Sequence, residues 1–179
     1  MPVSEAKQIE SKLKYIGANS ILPDISIIKN PQYISIGNNF ASMYNLRIEA
    51  WDEYRGQRFY PEIIIGNDVI LNTDVHIGCI NKVVIGDNVL LASRIYISDH
   101  SHGEINVEEL SIAPTARKLV SKGPVILEDN VWIGEGVCIM PGVTIGRNSI
   151  IGANSVVTKS IPANVVAAGI PANVIKQLI

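Results

Sequence analysis

Two histidines stand close together in the segment Ile97-Ser-Asp-His-Ser-His102, and they are the residues of this chain best suited to chemistry. An imidazole has an unperturbed pKa near neutrality, so His100 and His102 are candidates for accepting a proton from a reacting group. The third histidine, His76, lies in an earlier part of the chain. We expect it at the surface or in the lining of a groove.

The two cysteines offer less. Cys79 and Cys138 lack the spacing of a metal site or a disulfide, and we expect buried or half-buried thiols. Cys138 also has no histidine paired with it in the sequence, which argues against a covalent route through its thiol.

The elements that position these side chains follow from a six-residue period, which neither a helix nor an ordinary strand produces. Of eighteen hexapeptides counted from Ile16, seventeen begin with Ile, Leu or Val, and only Ser42 departs. Gly follows the first residue in eight of them. Asn or Asp, types that tolerate left-handed backbone angles, recurs two places further on, at Asn19, Asn39, Asp68, Asp74, Asn88, Asn130, Asn148 and Asn154. The pattern predicts short strands joined by tight corners.

Three hexapeptides make one triangular coil, and the coils begin at Ile16, Ile36, Ile65, Ile85, Leu127 and Ile145. The coils occupy residues 16–162. Extra residues collect after the third hexapeptide, at one corner, as insertions near 51–62 and 103–126. Residues 1–15 form an N-terminal segment with an expected short helix capped by Ser4, and residues 163–179 cap the last coil. We therefore predict a single all-β domain, a parallel β-helix of about six triangular coils with a long inserted loop.

Composition excludes some functions. The formal net charge of the 179 residues is -2 and there is no basic run, so we expect no nucleic-acid partner. No apolar stretch approaches ~18 residues and no signal-peptide pattern opens the chain. These features favour a cytoplasmic protein without a transmembrane segment.

Several segments carry a family resemblance that covers roughly the last half of the chain. They are IGDNVLLASRIYISDHSHG, DNVWIGEGVCIMPGVTIG, IGANSVVTKSIPANVVAAG and IPANVIK. Together they resemble the O-acetyltransferases of the hexapeptide-repeat superfamily, which includes galactoside and maltose acetyltransferases and the sugar acetyltransferases of polysaccharide biosynthesis. The resemblance implies a left-handed β-helix, although general chirality rules favour right-handed crossovers. It also implies acetyl-coenzyme A (acetyl-CoA) as donor, a sugar or glycoconjugate hydroxyl as acceptor, and a homotrimer with active sites between neighbouring prisms.

The resemblance also assigns a catalytic residue. The family's catalytic histidine falls six residues after the position that corresponds to Tyr96, which gives His102 as general base. In the hexapeptide count, His102 is the last residue of its coil, at the corner from which the long loop leaves. His100 is the rival, and it is expected to orient His102 or to contact the acceptor.

Other roles are carried over by position. Asn72 matches an asparagine associated with acceptor binding, and Asn173 stands where the galactoside enzymes have Arg. Lys176 matches a basic residue near the coenzyme phosphates, a favourable place for a cation. The positions that line the coenzyme groove correspond to Trp132, Ala153, Thr158 and Lys159.

The N-terminal third departs from the maltose and galactoside enzymes. The insertion WDEYRGQRFYP, at 51–61, could present aromatic rings to a sugar or cover the first coils. This departure favours acetyltransferases of polysaccharide assembly.

Three other functions are compatible with a β-helix. Zinc catalysis, as in β-helix carbonic anhydrases, needs three well-placed ligands, and His100 and His102 are too close in sequence for that family's spacing. We therefore expect no metal. N-acetylation of an amino sugar would use the same fold and donor, and a non-catalytic scaffold would bind no coenzyme.

Overall fold

A computed structural model describes residues 5–24 and 26–179; Ser4, the expected helix cap, lies outside them. The first described element is helix α1 (Glu5–Glu10). The strands up to the first insertion are β1 (Tyr15–Ile16), β2 (Ser26–Lys29), β3 (Ile34–Ile36), β4 (Ala41–Ser42) and β5 (Leu46–Ala50). A 3-10 turn at Pro31–Tyr33 precedes β3.

The middle of the chain contains the first insertion and two full coils. Its strands are β6 (Glu53–Tyr54), β7 (Gln57–Arg58), β8 (Glu62–Ile65), β9 (Ile70–Leu71), β10 (His76–Cys79), β11 (Lys82–Ile85), β12 (Leu90–Leu91) and β13 (Tyr96–Ser98).

The last part contains the second insertion, the final coils and the cap. Its strands are β14 (His100–His102), β15 (Leu119–Ser121), β16 (Val125–Leu127), β17 (Trp132–Ile133), β18 (Cys138–Ile139), β19 (Thr144–Ile145), β20 (Ile150–Ile151), β21 (Val156–Val157), β22 (Val165–Gly169) and β23 (Ala172–Gln177).

Equivalent strands of successive coils stack in three sheets, which form the faces of a triangular prism. Face A has the order β1-β3-β8-β11-β16-β19, and face C has the order β2-β5-β10-β13-β18-β21. Face B has the order β4-β9-β12-β17-β20-β22-β23. Every pairing within the faces is parallel except β22 with β23. Strands of adjacent coils therefore lie ~4.8 Å apart, and the chain runs from A to B to C in each coil.

The first residue of most hexapeptides points into the prism and builds its core. Ile65, Ile85 and Leu127 follow one another up face A, and each is at most 2% exposed. Leu71, Leu91 and Ile133 do the same on face B. The six-residue period thus brings one of these core residues to each face of every coil, and further buried positions such as Val69 and Val89 fill the space between them.

The corners have the backbone that the Asn and Asp residues predict. Asn19, Asp68, Asn130 and their equivalents have positive φ near 60°. Their side chains also bond to one another along the corner, as where Asn130 Nδ2 donates to Asn148 Oδ1 at 3.0 Å. The residue type thus supplies both the turn and a link between coils.

Both insertions leave from the corner between faces C and A, as the coil spacing predicts. The first forms a hairpin of β6 and β7. The second insertion begins earlier than the hexapeptide count predicts. The face C strand β13 ends at Ser98, and residues 100–102 pair antiparallel with β15. His102 therefore belongs to the insertion and is not the last residue of a regular coil. The cause is the buried carboxylate of Asp99, which accepts backbone hydrogen bonds from the preceding coil and turns the chain away.

The two ends of the solenoid are finished differently. A partial seventh coil follows the coil that begins at Ile145. It consists of Ile161, which forms a bridge with Ile145, and of strand β22, which pairs with β20. The cap is the antiparallel strand β23 on face B, where it pairs with β22. Among the described residues, no helix has the length and apolar character needed to cross a membrane.

We predict that Ile145→Ala lowers the free energy of unfolding by about 2–5 kcal/mol, because it leaves a cavity in a close-packed interior. Ile145 is fully buried on face A. Urea denaturation followed by circular dichroism measures the change, and Ile105→Ala is the control because that side chain is 92% exposed. Equal midpoints for the two variants would contradict the assigned core.

Candidate active site

A groove on face C, next to the corner from which both insertions leave, contains all three histidines. Its volume is about 440 Å³. It is lined by Arg47, Glu49, Trp51, Tyr54, His76, Gly78, Tyr96, Ser98, His100, Ser101, His102, Leu119 and Met140. The predicted catalytic histidines thus share one concave surface with aromatic side chains from the first insertion.

His100 is held by a carboxylate. Its Nδ1 lies 2.9 Å from Oδ1 of Asp99, and its side chain is 13% exposed while that of Asp99 is fully buried. A carboxylate accepts hydrogen bonds, so Nδ1 carries the proton and Nε2 keeps a lone pair. This is the arrangement of an oriented general base.

Asp99 is itself fixed by the solenoid. The backbone N–H groups of Asn81 and Lys82 donate to its Oδ2 at 2.7 and 2.8 Å, and that of Ile80 donates to Oδ1 at 3.0 Å. A carboxylate with several backbone donors has one preferred position. Sequence reasoning missed Asp99, although its place immediately before His100 was a usable signal.

The Cys79 thiol also points at this carboxylate, with Sγ 3.3 Å from Asp99 Oδ2. Burial raises the pKa of Cys79 strongly, and the nearby Asp99 charge adds to the effect. The group therefore stays a thiol and is unsuited to nucleophilic attack. Cys138 is half-buried and unbonded to Cys79.

His102 has a different environment from His100. It is exposed, and its ring makes a T-shaped contact with the ring of Tyr54 at a centroid distance of 5.4 Å. Tyr54 belongs to the first insertion, and its hydroxyl donates to the carbonyl of Thr115 in the second at 2.8 Å. The two insertions thus join above the groove and hold His102 by a ring contact, without an ion pair.

His76 lies on β10, on the opposite side of the groove floor from the insertions. Its Nε2 is 3.1 Å from Oε2 of Glu49, and the same oxygen accepts from Arg47 Nε at 2.8 Å. Burial lowers the pKa of His76, and the Arg47 charge lowers it further, while the hydrogen bond that His76 donates to Glu49 raises it. The imidazole is therefore neutral near pH 7, with Nε2 donating to Glu49. The sequence predicted His76 at the surface or in the lining of a groove, but it gave no sign of either partner, because both lie on the preceding coil.

The other predicted site residues lie outside this groove, in two places. Thr158 follows β21 at the same corner as the histidines, since Ile97 pairs with Ile139 and Ile139 with Val157. It lies two strands from Ser98, and Lys159 comes next. Both side chains are exposed.

The remaining predicted residues lie around face B. Trp132 points outward from β17 and is 49% exposed. Asn72 and Ala153 lie at the corner between faces B and C, and Lys176 lies on the capping strand β23. One copy of the chain therefore does not bring the histidines and Trp132 together. Among the described residues, no group of three or more His, Cys, Asp and Glu side chains is arranged to hold a metal ion.

We predict opposite shifts of the His76 pKa in two variants. Glu49→Gln lowers it further, because the hydrogen bond and charge of Glu49 favour the imidazolium, whereas Arg47→Met raises it by removing a like charge. Histidine NMR titration measures both, with the ordinary value of 6.5 as reference. Since the folded pKa lies below the unfolded one, the contribution of His76 to stability is present above pH 6.5 and is lost as the pH falls towards the folded pKa. Shifts of the same sign in both variants would contradict the assigned contacts.

Comparison with known proteins agrees with this geometry. Residues 124–159 match the family described as bacterial transferase hexapeptide (six repeats). A protein of Escherichia coli, WbbJ, named as a lipopolysaccharide biosynthesis O-acetyl transferase, is 40% identical over 84% of this chain and 74% of its own length. Galactoside O-acetyltransferase of the same species is 35% identical over 98% of this chain and 71% of its own length.

A solved structure extends the comparison to the fold. The complex of galactoside acetyltransferase with coenzyme A is 32% identical, has a TM-score of 0.55, and matches 97% of this chain and 69% of that one. The predictions of the family, the left-handed parallel β-helix and the acyltransferase class are confirmed. The chain therefore belongs to the hexapeptide-repeat acetyltransferases.

Proposed function

We propose that the protein transfers an acetyl group from acetyl-CoA to a hydroxyl of a sugar or glycoconjugate, with His100 as the general base. The observation that carries this proposal is the pair of Asp99 and His100 in the groove, with Nδ1 and Oδ1 2.9 Å apart. In an acetyltransferase, an imidazole held in this tautomer can accept the proton of the attacking hydroxyl at Nε2.

The reaction needs one proton acceptor and no covalent enzyme intermediate. Nε2 of His100 takes the hydroxyl proton as the acceptor oxygen attacks the thioester carbonyl carbon. The carbon–sulfur bond then breaks, the acetyl ester forms, and the proton passes to the departing sulfur to give coenzyme A. A backbone N–H is the expected donor to the intermediate oxyanion. Asp99 stabilises the imidazolium that exists between the two proton transfers.

His102 was the base that the family resemblance implied, and its role stays a prediction. His102 is exposed and contacts the Tyr54 ring, and no other group among the described residues bonds to its nitrogens and selects its tautomer. We therefore assign His102 to contact with the acceptor and His100 to proton transfer, which exchanges the roles expected from the sequence.

Homotrimer formation is part of the proposal. Trp132 and the histidines lie on different faces, so a coenzyme that touches both must lie between two copies. Outward aliphatic residues in register on face B, Ile70 and Leu90, stand beside Trp132 in the same row. This partly apolar row is suited to packing against a neighbouring prism. Trp132, Ala153, Thr158, Lys159 and Lys176 would then contact the coenzyme.

The acceptor is expected to be a sugar of a polysaccharide or a lipopolysaccharide. Trp51, Tyr54 and Tyr96 line the groove and offer aromatic faces and edges to a sugar ring. One relative is named for lipopolysaccharide biosynthesis and another for galactosides. Asn72, at the corner between faces B and C, would reach an acceptor only across the interface. The proposal also locates the protein in the cytoplasm, where acetyl-CoA is available.

We predict that His100→Ala lowers kcat by ~10²–10⁴, the usual contribution of a general base, and leaves the Kd for coenzyme A nearly unchanged. His102→Ala is the matched variant and lowers kcat by less than about tenfold. Release of coenzyme A is measured with paired hydroxyl and amino acceptors, so that O- and N-acetylation are separated. A larger loss in His102→Ala than in His100→Ala would return the base to His102.

We also predict that the protein sediments as a trimer and binds coenzyme A, and that Lys159→Ala and Trp132→Ala both weaken this binding by about tenfold or more. Calorimetry measures the Kd, and Lys12→Ala is the control because that exposed lysine lies at the other end of the prism. No heat of binding in the wild type would favour a non-catalytic scaffold. A wild-type protein that sediments as a monomer and still binds coenzyme A would contradict a coenzyme site shared between two copies.

A further inference from the structure

We propose that Arg47, Glu49 and His76 form a subsite that recognises a second hydroxyl of the acceptor, next to the hydroxyl that is acetylated. His76 Nδ1 would accept a hydrogen bond from that neighbouring hydroxyl. The inference rests on the proposed acetyl transfer and specifies the acceptor as a polyol that presents two hydroxyls to the groove.

The three side chains meet because two strands of face C are paired. Arg47 of β5 stands opposite His76 of β10, and Glu49 stands opposite Gly78. Glu49 is only 10% exposed at its side chain, and its Oε2 lies 2.8 Å from Arg47 Nη2 and 3.1 Å from His76 Nε2. A nearly buried carboxylate thus orients one imidazole on the groove wall.

Stability alone gives little reason for such a cluster. On face A the outward row Ile64, Val84 and Ile126 is aliphatic, and the Glu62 carboxylate, paired with Lys82 and Lys14, is 35% exposed at its side chain, against 10% for Glu49. A partly buried carboxylate with two nitrogen partners costs desolvation that aliphatic residues avoid. The cluster is therefore better explained by a ligand than by the fold.

Two of the three imidazoles of the groove are arranged in a similar way. Asp99 holds Nδ1 of His100, and Glu49 holds Nε2 of His76. Each ring is left with one nitrogen lone pair, and within the described part of the chain Nδ1 of His76 has no hydrogen-bond partner. The edge of the Tyr96 ring, at a centroid distance of 5.4 Å, holds the His76 ring in place.

Gly78 keeps the floor between the two rings open. A Cβ on Gly78 would lie 3.3 Å from Cε1 of His100 and 4.0 Å from Nε2 of His76. Both rings therefore border the same small volume. The charged or titratable groups that face His76 are Arg47, Glu49, His100 and Tyr96, and the lowered pKa of His76 keeps its lone pair free at neutral pH.

The two rings border one groove, and among the described residues each has one nitrogen without a protein hydrogen bond, so together they match a pair of hydroxyl donors. His100 takes the proton of the reacting hydroxyl, and His76 binds the neighbouring hydroxyl without removing its proton. An acceptor that lacks the second hydroxyl would leave a nitrogen unpaired, which is the general basis for rejecting a deoxy analogue.

The test is a titration of the full-length, ¹⁵N-labelled protein with defined probes. Methyl β-galactopyranoside and methyl β-glucopyranoside are added, then the deoxy analogues of the one that binds more tightly, and long-range ¹H–¹⁵N spectra report each histidine nitrogen. We expect His76 to carry its proton on Nε2 and its Nδ1 resonance to shift with a parent sugar. We also expect one deoxy analogue to bind about tenfold more weakly, the loss of one hydrogen bond.

Glu49→Gln should lower affinity for the parent sugar to that for the discriminating deoxy analogue, and leave affinity for the analogue unchanged. His76→Gln is a second variant with the same expectation. Glu53→Gln is the matched control, because Glu53 lies in the first insertion with its carboxylate 3.9 Å from Arg58.

Three results would overturn the subsite: a proton on Nδ1 of His76, no shift of Nδ1 with either sugar, or an equal loss of affinity for all sugars in Glu49→Gln. Failure of the proposed function is read separately, from coenzyme A binding to the same sample. If coenzyme A binds and neither sugar moves His76, the subsite alone fails. If coenzyme A does not bind, acetyl transfer fails while the sugar titration still reports on His76.

Discussion

The parallel pairing of equivalent strands from one coil to the next is the constraint on which the rest of the structure depends. Each hexapeptide places one aliphatic residue inside the prism, and the backbone hydrogen bonds along the prism keep all coils in register. Residues far apart in the chain thereby become neighbours about 4.8 Å apart on one face. The groove on face C is a direct product of this stacking, since its walls come from β5, β10 and β13.

Asp99 connects this scaffold with the chemistry. Its carboxylate accepts backbone N–H groups at the corner of the preceding coil, and it also accepts the Nδ1 proton of His100. The same group therefore ends the regular coil, starts the long insertion and selects the tautomer of the base. A rigid corner is a suitable support for such a group, because the backbone donors cannot move without disturbing the stack.

The insertions and the solenoid contribute different parts of the groove. The solenoid supplies Glu49, His76 and the backbone donors that fix Asp99, whereas the insertions supply Trp51, Tyr54, His100 and His102. The two insertions are joined where the Tyr54 hydroxyl meets the Thr115 carbonyl and where the Leu119 N–H donates to Gln57 Oε1 at 2.9 Å. Loops held by only a few such bonds are easily changed without disturbing a core. This division explains how one repeat architecture accommodates different acceptors.

The sequence by itself determined the architecture, the corner that bears the insertions and the enzyme class. Those features follow from local rules: an aliphatic residue at the start of nearly every hexapeptide, Asn or Asp at left-handed corners, and motifs contiguous in the last half of the chain. The tertiary structure alone decided which histidine meets a carboxylate. Glu49 and His76 are 27 residues apart, and their contact depends on an insertion between them whose length follows no period. It also showed that the histidines and Trp132 lie on different faces, because residues sharing a motif still alternate among three faces as the coil turns.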